Sequence, residues 1–291
     1  MPSLIDLRRR IRSVKNTQQI TKAMKMVSAA KLRRAQQQVL ESRPYSRLLR
    51  DIVASVLSES EADESAGHPL LAKRPENKAL LLLLSGDKGL CGAFNTNILK
   101  EARQFIASKG EAQVELELIG KKGRDYYARR TIPISGEWVD VFSRVELMTA
   151  QQIAKRAMNR YIAGEVDSVY ILYSEFKSAV SQIPTLVQAL PIEAPPAEAG
   201  EASGGGADYI YAQPPQELFK TLLPRYVEVL VYQAMLESAA SEHSARMAAM
   251  EAATRNAGEM IDKLTLHLNR VRQASITTEI IEIVSGAAAL E

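Results

Sequence analysis

The longest regular pattern in the chain is a seven-residue repeat of apolar and small side chains in its last third. The repeating positions alternate at spacings of four and three residues: Leu236, Ala240, His243, Met247, Met250, Thr254, Ala257, Ile261, Leu264, Leu268 and Val271. A repeat sustained over about five heptads predicts a left-handed coiled coil. No proline follows Pro224, so the sequence predicts a helix of about 90–100 Å from there onward, at 1.5 Å per residue.

A second repeat, at the start of the chain, predicts the partner of this helix. It opens with a capping-box pair, Ser3 and Asp6, which is typical of a helix N-terminus. The apolar positions that follow are again three and four residues apart: Leu4, Leu7, Ile11 and Val14. We expect this helix to reach roughly 60 Å before Pro44, with the apolar pattern resuming beyond, and to lie antiparallel against the last helix. The seam turns polar at three positions, where it must be weaker or face a third surface: Gln18, Thr21 and Lys25.

The middle of the chain alternates predicted strands and helices. Strands are predicted at residues 79–86, 114–120 and 168–176, and helices at 94–106, 124–130 and 146–163. This alternation predicts an α/β layer with a largely parallel sheet. The predicted fold class is therefore α/β, with a long antiparallel coiled coil of the N- and C-terminal helices and a central Rossmann-like domain. The predicted limits are 1–60 for the first helix, 75–192 for the α/β domain, 193–208 for a linker or exposed loop, and 209–291 for the last helix.

Charge is distributed unevenly along the chain. Residues 1–50 carry 13 Lys and Arg against 2 acidic residues, a net charge of +11, whereas residues 213–291 carry a net charge of −3. A basic first helix beside a mildly acidic last helix predicts attraction between the two and an anionic partner. The single Cys91 excludes an internal disulfide and favours a reducing compartment. The longest apolar run, residues 79–84, is too short to cross a bilayer.

A glycine-rich turn, SGDKGLCGAFN at residues 85–95, joins a predicted strand to a predicted helix. Phosphate-binding loops occupy such positions, because a helix N-terminus offers free N–H groups to anions. The spacing differs, however, since Gly86, Gly89 and Gly92 lie three apart and Lys88 begins no GK[ST] pattern. We therefore favour a tight turn whose glycines allow a positive φ and close packing of helix on strand. The alternative is a nucleotide-binding enzyme.

The reactive side chains do not form a recognisable catalytic set. Cys91 has the position of a nucleophile at a helix N-terminus, but His68 falls near a proline-containing loop, and His243 and His267 fall on the last helix. We expect Cys91 to be structural and His243 to pack in the seam. One cysteine and three scattered histidines do not make a zinc site. The sequence predicts no catalytic, cofactor-binding or metal-binding residue.

A stripe of basic residues follows the first helix. Its members are Arg8, Arg9, Arg10, Arg12, Lys15, Lys22, Lys25, Lys31, Arg33 and Arg34. A solvated helix face is the ordinary interpretation, but this much charge favours an anionic partner. A nucleic acid is one candidate, although no aromatic side chain precedes Tyr45 for stacking on bases. An acidic protein surface is the other candidate.

Three long motifs resemble those of one known family. They are IRSVKNTQQITKAMKMVSAAKLRRAQ at residues 11–36, SGDKGLCGAFN at residues 85–95 and RQASITTEIIEIVSGAAAL at residues 272–290. In sequence and in order they are similar to the gamma subunit of the bacterial F-type ATP synthase. The resemblance implies a non-catalytic rotor subunit, one copy per complex, that couples proton or sodium flow through the membrane c-ring to ATP synthesis on the beta subunits.

The resemblance also implies partners and a location. The partners are the alpha and beta subunits of the catalytic head, the epsilon subunit and the c-ring, with no nucleic acid and no cofactor. The location is the cytoplasmic face of the bacterial plasma membrane, as a peripheral part of the complex. Carried onto this sequence, the residues that hold a loop of the beta subunit are Arg272 and Gln273. Those that face the acidic lever segment of the beta subunit are Met24, Lys22 and Lys25, and those near the c-ring and the epsilon subunit are Tyr209 and Tyr211.

The end of the chain is apolar and nearly uncharged from Ser285 to Leu290. Chain termini are ordinarily polar and frayed, so an apolar end indicates a partner that covers it. The resemblance implies that this tip turns inside an apolar sleeve at the top of the catalytic head. The alternative is that Gly286 ends the helix and the last residues fray, and the charge of Glu291 weakens the sleeve interpretation.

Overall fold

The computed structural model describes residues 4–60, 68–178, 181–193 and 215–288. They belong to two compact units. The helix-pair unit comprises Met1–Ala29 and Arg246–Glu291, and the sheet unit comprises Ala30–Ala245. The first helix, α1 (Leu4–Ser60), and the last, α5 (Pro215–Ala288), contribute residues to both units. The domain limits predicted from the sequence stay a prediction.

In the helix-pair unit, the predicted seam is the least exposed line of positions on α5. Ile261, Leu264, Leu268 and Val271 are partly buried, whereas every residue between them is exposed. On α1 the seam includes Leu7, which is 2% exposed. The seven-residue repeat therefore marks the buried face of each helix, because only a 3.5-residue period keeps one face turned toward a partner.

The polar middle of the seam is paired across the two helices. The Thr254 hydroxyl donates to the Thr21 hydroxyl at 2.8 Å, and the Gln18 amide donates to the Thr254 carbonyl at 3.5 Å. The Lys25 ammonium donates to a Glu251 carboxylate oxygen at 2.7 Å. Residue numbers rise along α1 as they fall along α5, so the helices are antiparallel, as predicted. The three polar positions thus each bond α5, while Gln18 and Lys25 stay partly exposed.

The sheet unit is built on a mixed sheet with helices. Among the described residues the sheet has five strands: β1 (Ala79–Leu84), β2 (Val114–Ile119), β3 (Ile134–Trp138), β4 (Ser168–Phe176) and β5 (Gln182–Leu190). Between them lie α2 (Phe94–Lys109), a short 3₁₀ turn (Glu111–Gln113), α3 (Lys121–Tyr127) and α4 (Leu147–Ile162). The spatial order is β3-β2-β1-β4-β5, with β5 alone antiparallel. The order 3-2-1-4 is that of a Rossmann fold, which confirms the predicted, largely parallel α/β layer.

The two faces of this sheet are covered differently. On one face, β1 and β2 pack with α2 and α3 in a hydrophobic core that includes Leu81, Leu116, Ile98 and Tyr127, all fully buried. On the other face, α4 is held to β2 by ion pairs, one of which joins Arg160 to Glu115 at 2.6 Å. All six residues of β1 are buried, because a central strand of a doubly covered sheet has no solvent face.

The two outer strands, β3 and β5, were not predicted from the sequence. β3 follows Pro133 and contains Gly136, and β5 contains Pro184. Both residue types weaken a strand signal, and proline is tolerated in a sheet mainly at its edges. Edge positions are where the structure places both strands.

Three helices have limits that differ by several residues from those predicted. α2 continues to Lys109 instead of ending at Ile106. α3 begins at Lys121 and not at Arg124. α5 begins at Pro215, so Pro224 lies inside it. An interior proline costs about 3 kcal/mol, but Phe219, Leu223 and Val227 around it are each at most 1% exposed. Their burial, at about 1.5–3 kcal/mol for each side chain, outweighs the proline.

Replacing Gly120 with alanine should destabilise the sheet unit. Gly120 joins β2 to α3 with a φ of 106°, and an added Cβ would lie 2.0 Å from the Ser85 carbonyl oxygen. We expect Gly120→Ala to lower the free energy of unfolding by at least about 2 kcal/mol. Urea unfolding followed by the fluorescence of Trp138, whose carbonyl accepts from the Gly120 N–H at 2.7 Å, measures it. Gly89→Ala is the control, since its nearest neighbour would be 3.8 Å away, and equal losses in both variants would contradict the prediction.

The ion pair between Lys25 and Glu251 should be visible in a titration. The hydrogen bond and charge of Lys25 lower the pKa of Glu251 below its ordinary value. A carboxyl whose pKa is lowered by folding adds stability above its ordinary pKa, and that contribution is lost as pH falls through the folded pKa. We expect Lys25→Met to raise the pKa of Glu251, as read by carbon NMR of its carboxyl. Lys22→Met removes a nearby exposed ammonium and should leave that pKa unchanged; a shift of equal size would mean that the field of the basic stripe, and not this pair, sets the pKa.

Candidate interaction surface

The C-terminal part of α5 in the helix-pair unit exposes large apolar side chains. Ile276, Ile280 and Ile283 are 48%, 55% and 72% exposed, and Ile281 and Val284 are 57% and 61% exposed. The register that pairs Thr21 with Thr254 brings the start of α1 level with Val271 of α5. Of the described residues after Val271, all but Ser275 are exposed up to residue 286. This surface, which we call the apolar tip, fits a partner that covers it.

The structure describes only part of the apolar end that was predicted from the sequence, residues 285–290. Ser285 and Gly286 lie within α5. An added Cβ on Gly286 would meet nothing within 4 Å, so its small size is not required by packing within the described residues. Leu290 and Glu291 lie outside the described residues. The helix continues past Gly286 to Ala288, which contradicts the interpretation of Gly286 as the residue that ends it.

The predicted partner contacts fall at two separate levels of the helix-pair unit. Arg272 and Gln273 are adjacent and exposed on α5, beside the seam and next to the apolar tip. Met24 is partly buried and Lys22 is exposed on α1, at the level of Glu251. Counting along α5, the two levels are roughly 30 Å apart at 1.5 Å per residue. The structure therefore places these predicted contact residues at two levels and does not bring them together. The remaining predicted contacts, Tyr209 and Tyr211, lie outside the described residues.

The basic stripe is largely exposed in the part of α1 that belongs to the helix-pair unit. The exposed members there are Arg8, Arg9, Arg10, Arg12, Lys15 and Lys22. Lys25 differs, because it is half-buried and its ammonium is 2.7 Å from Glu251. Charge on the outer face of α1 is thus available to an anionic partner, while the charge of Lys25 is shared with α5.

Exposed apolar side chains beside this stripe were missed in the sequence. Ile20, Met26 and Val27 are each 58–60% exposed on α1. They could have been predicted to be exposed, because they lie outside the seven-residue repeat and therefore away from the seam. Apolar side chains interleaved with basic ones are suited to a protein surface that is both acidic and apolar.

Two side chains of the glycine-rich turn bond the N-terminus of α3, the helix that follows β2, whereas α2, the helix that directly follows the turn, has no side-chain cap. The Asp87 carboxylate accepts the backbone N–H groups of Lys121, Asp140 and Phe142, each at 3.0 Å. The Ser85 hydroxyl accepts the N–H of Gly123 at 2.7 Å. At Lys121 and Gly123 these oxygens accept from backbone N–H groups that a helix N-terminus otherwise leaves free. The chain's own side chains therefore occupy the N-terminus of α3.

The glycines of the turn have different roles. A positive φ occurs at Leu90 (60°) and Gly92 (57°), so only one of the three glycines provides the left-handed conformation expected from the sequence. Gly86 provides close packing instead, because an added Cβ would lie 3.0 Å from Asn95 Oδ1 and 3.1 Å from Glu242 Cδ. The predicted tight turn with close packing is confirmed. Of its two residues with a positive φ, one is a glycine, Gly92, and the other is Leu90.

Cys91 is buried, His68 is bonded to the backbone, His243 is partly buried and His267 is exposed. Cys91 is 2% exposed, and its sulfur lies 3.1 Å from the Asn95 side-chain nitrogen. His68 accepts the Leu70 N–H through Nδ1 at 3.2 Å, and burial, with the charge of Lys220, lowers the pKa of His68. Within the described parts of the chain, no three or more His, Cys, Asp or Glu side chains group as metal ligands. In those same parts, no helix combines the length and apolarity needed to cross a membrane.

Solved structures with a similar fold come from rotary ATP synthases. A chain of the Euglena gracilis mitochondrial ATP synthase, from a structure of OSCP, F1 and c-ring, aligns with a TM-score of 0.65 and 19% identity, over 99% of this chain and 94% of that one. A chain of the Tetrahymena thermophila mitochondrial ATP synthase central stalk and c-ring aligns with a TM-score of 0.62 and 24% identity, over 80% and 99%. These similarities show the shared fold.

Sequence relatives are closer. The family model described as ATP synthase matches residues 3–290. The ATP synthase gamma chain of Solibacter usitatus is 56% identical over 292 aligned residues, and that of Pelotomaculum thermopropionicum is 48% identical over 291, each covering 100% of both chains. Because the family model matches all but three residues and these relatives align over the whole sequence, the chain belongs to the family of ATP synthase gamma chains.

Proposed function

We propose that this chain is the rotating shaft of its ATP synthase, joining the membrane c-ring to the catalytic head. Rotation of the c-ring, driven by protons or sodium ions, would turn the shaft and change the conformation of the beta subunits in sequence. The observation that carries the proposal is the antiparallel pair of α1 and α5 in the helix-pair unit, with an apolar tip on α5 beyond the start of α1. Such a pair is stiff and has different side chains on each face.

The asymmetry of the pair is what a shaft needs. Three identical catalytic sites can take different states only if a partner contacts each of them differently. In the helix-pair unit, one level exposes Lys22 among Met26 and Val27, and the other exposes Arg272 and Gln273 beside the apolar tip. Each rotational position of such a surface would present another face to a given beta subunit.

The contacts carried over from the family divide between these two levels. Arg272 and Gln273 would hold a loop of the beta subunit, and their exposure supports this role. Lys22 and Met24 would face the acidic lever segment of the beta subunit. The charge of Lys25 is partly neutralised by Glu251, 2.7 Å away. Lys22 would therefore attract the acidic segment more strongly than Lys25. Tyr209 and Tyr211 would approach the c-ring and the epsilon subunit.

In this proposal the chain itself does no chemistry. The glycines of the turn before α2 lie three apart and Lys88 begins no GK[ST] pattern, which argues against the nucleotide-binding alternative. ATP would be made on the beta subunits. One copy would serve each complex at the cytoplasmic face of the bacterial plasma membrane, as the bacterial origin of the full-length relatives suggests.

Reconstitution with alpha and beta subunits from the same source tests the proposal. We expect one copy of this chain for each six-subunit head, by mass, with ATP hydrolysis well above that of the mixture without it. A head that forms normally while excluding this chain would contradict the shaft proposal. Micromolar ATP binding by the chain alone, abolished by Lys88→Ala, would support the nucleotide-binding enzyme in its place.

Charging the apolar tip should weaken the assembly. If the tip turns inside an apolar sleeve, Ile283→Asp places a carboxylate where it has no partner, which costs several kcal/mol. We expect the variant to bind the head at least about 100-fold more weakly, a loss equivalent to roughly 3 kcal/mol. Ile283→Leu keeps the apolar surface and is the matched control. Dissociation is measured by mass photometry over a dilution series. If both variants dissociated like the parent, the apolar sleeve would be contradicted.

A further inference from the structure

One edge of strand β4 has no neighbouring strand near its carboxyl end, among the described residues. β4 pairs with β1 only as far as Leu172, which lies opposite Leu83. Beyond that point Ser174 and Phe176 pair with β5 on the other side. An unpaired strand edge leaves backbone N–H and C=O groups that need hydrogen-bond partners when they are buried.

Side chains of α5 supply those partners. The Ser238 hydroxyl oxygen accepts the Ser174 N–H at 3.2 Å, and the Ser241 hydroxyl donates to the Ser174 carbonyl at 3.0 Å. Two residues further along the same edge, the Glu237 carboxylate accepts the Phe176 N–H at 2.9 Å. The three side chains are 0–4% exposed. A helix thus completes the edge of the sheet in the place of a strand.

This contact lies where α/β proteins ordinarily bind ligands. The chain runs outward from β1 through β2 to β3 and then returns to β4 on the other side of β1. The crevice outside the carboxyl ends of β1 and β4 is therefore the topological switch point. Gly86, just after β1, is only 3.1 Å from Glu242 of α5 measured from its ideal Cβ. Side chains of α5 therefore reach the end of β1, where the Glu242 and Asn95 side chains leave little room for a Cβ on Gly86.

We infer that Glu237, Ser238 and Ser241 are positioning residues that lock the sheet to α5 and transmit torque between them. The inference rests on the proposed rotation of the chain. Apolar contacts are non-directional and allow a helix to slide over a sheet, whereas hydrogen bonds to a fixed backbone hold one position. Two further contacts support the same segment, from Gln182 to Ser244 at 3.3 Å and from Arg43 to Glu237 at 3.6 Å.

The stiffness of this joint can be measured on single rotating complexes. A bead attached through Lys155→Cys, on an exposed position of α4, reports the motion of the sheet, while Cys91 is buried and does not compete for the label. We expect Ser238→Ala/Ser241→Ala to increase the angular variance of the bead during catalytic pauses at least about twofold, with unloaded ATP hydrolysis unchanged. Ser108→Ala is the matched control, because this α2 hydroxyl bonds only its own helix, at the Phe105 carbonyl.

A double variant that assembles fully and keeps the parent's angular variance would overturn the inference. If the double variant fails to assemble, two variants of Glu237 test the inference in its place. Glu237→Gln keeps an oxygen for the Phe176 N–H and should retain the parent's stiffness, whereas Glu237→Ala should not. Equal stiffness in these two variants would also overturn it.

Amide hydrogen exchange separates this inference from the proposed function. We expect the Ser174 amide to exchange at least about tenfold faster in the double serine variant of the purified full chain. We expect the same increase for the Phe176 amide in Glu237→Ala. If the parent chain does not rotate in the head, the proposed function and the torque role fall together. If the variants rotate normally and their amide exchange rates equal those of the parent, only the role of these side chains at the β4 edge is contradicted.

Discussion

The stability of a long helix depends on a partner along its length, and this constraint governs the arrangement of α1 and α5. Most of the stability of a helix in a protein comes from burial of one face. In the helix-pair unit, α5 buries that face against α1, at seven-residue spacing. Where the seam lacks apolar side chains, Thr21 and Thr254 replace burial with a hydrogen bond of 2.8 Å. Beyond the start of α1, α5 continues with its isoleucines exposed, which leaves an apolar surface for another molecule.

The same helix is bound in a different manner in the sheet unit. There α5 presents Ser238 and Ser241 to the backbone of β4, and Glu242 to Gly86. Buried serine and glutamate side chains are costly without partners, so their presence in a helix is explained by the strand edge that they complete. A Rossmann-like sheet has thereby gained a rigid attachment in the crevice where it would otherwise hold a ligand. The N-terminus of α3 is likewise bonded by a side chain of the protein, that of Asp87.

Much of this arrangement could be predicted from residue patterns, and the failures have physical causes. β1 and β4 were predicted because central strands are continuous apolar runs. β3 and β5 were missed because Pro133, Gly136 and Pro184 interrupt the edge strands. The predicted partner contacts at Arg272, Gln273 and Met24 came from the resemblance to a family, since contact with another protein produces no repeating pattern within one chain. The pairing of Lys25 with Glu251 was not predicted, because 226 residues separate the two along the chain.

The sequence alone determined the periodic features of this protein: the seam of each long helix, the alternation of strands and helices, and the apolar character of the last residues. These follow from local spacing, because a 3.5-residue repeat or an apolar run specifies a buried face wherever the partner comes from. Only the tertiary structure decided which groups meet. It directed Asp87 to the N-terminus of α3, and Ser238, Ser241 and Glu237 to the free edge of β4. Such contacts depend on where β1 ends relative to β4, a register between distant segments that local spacing does not encode.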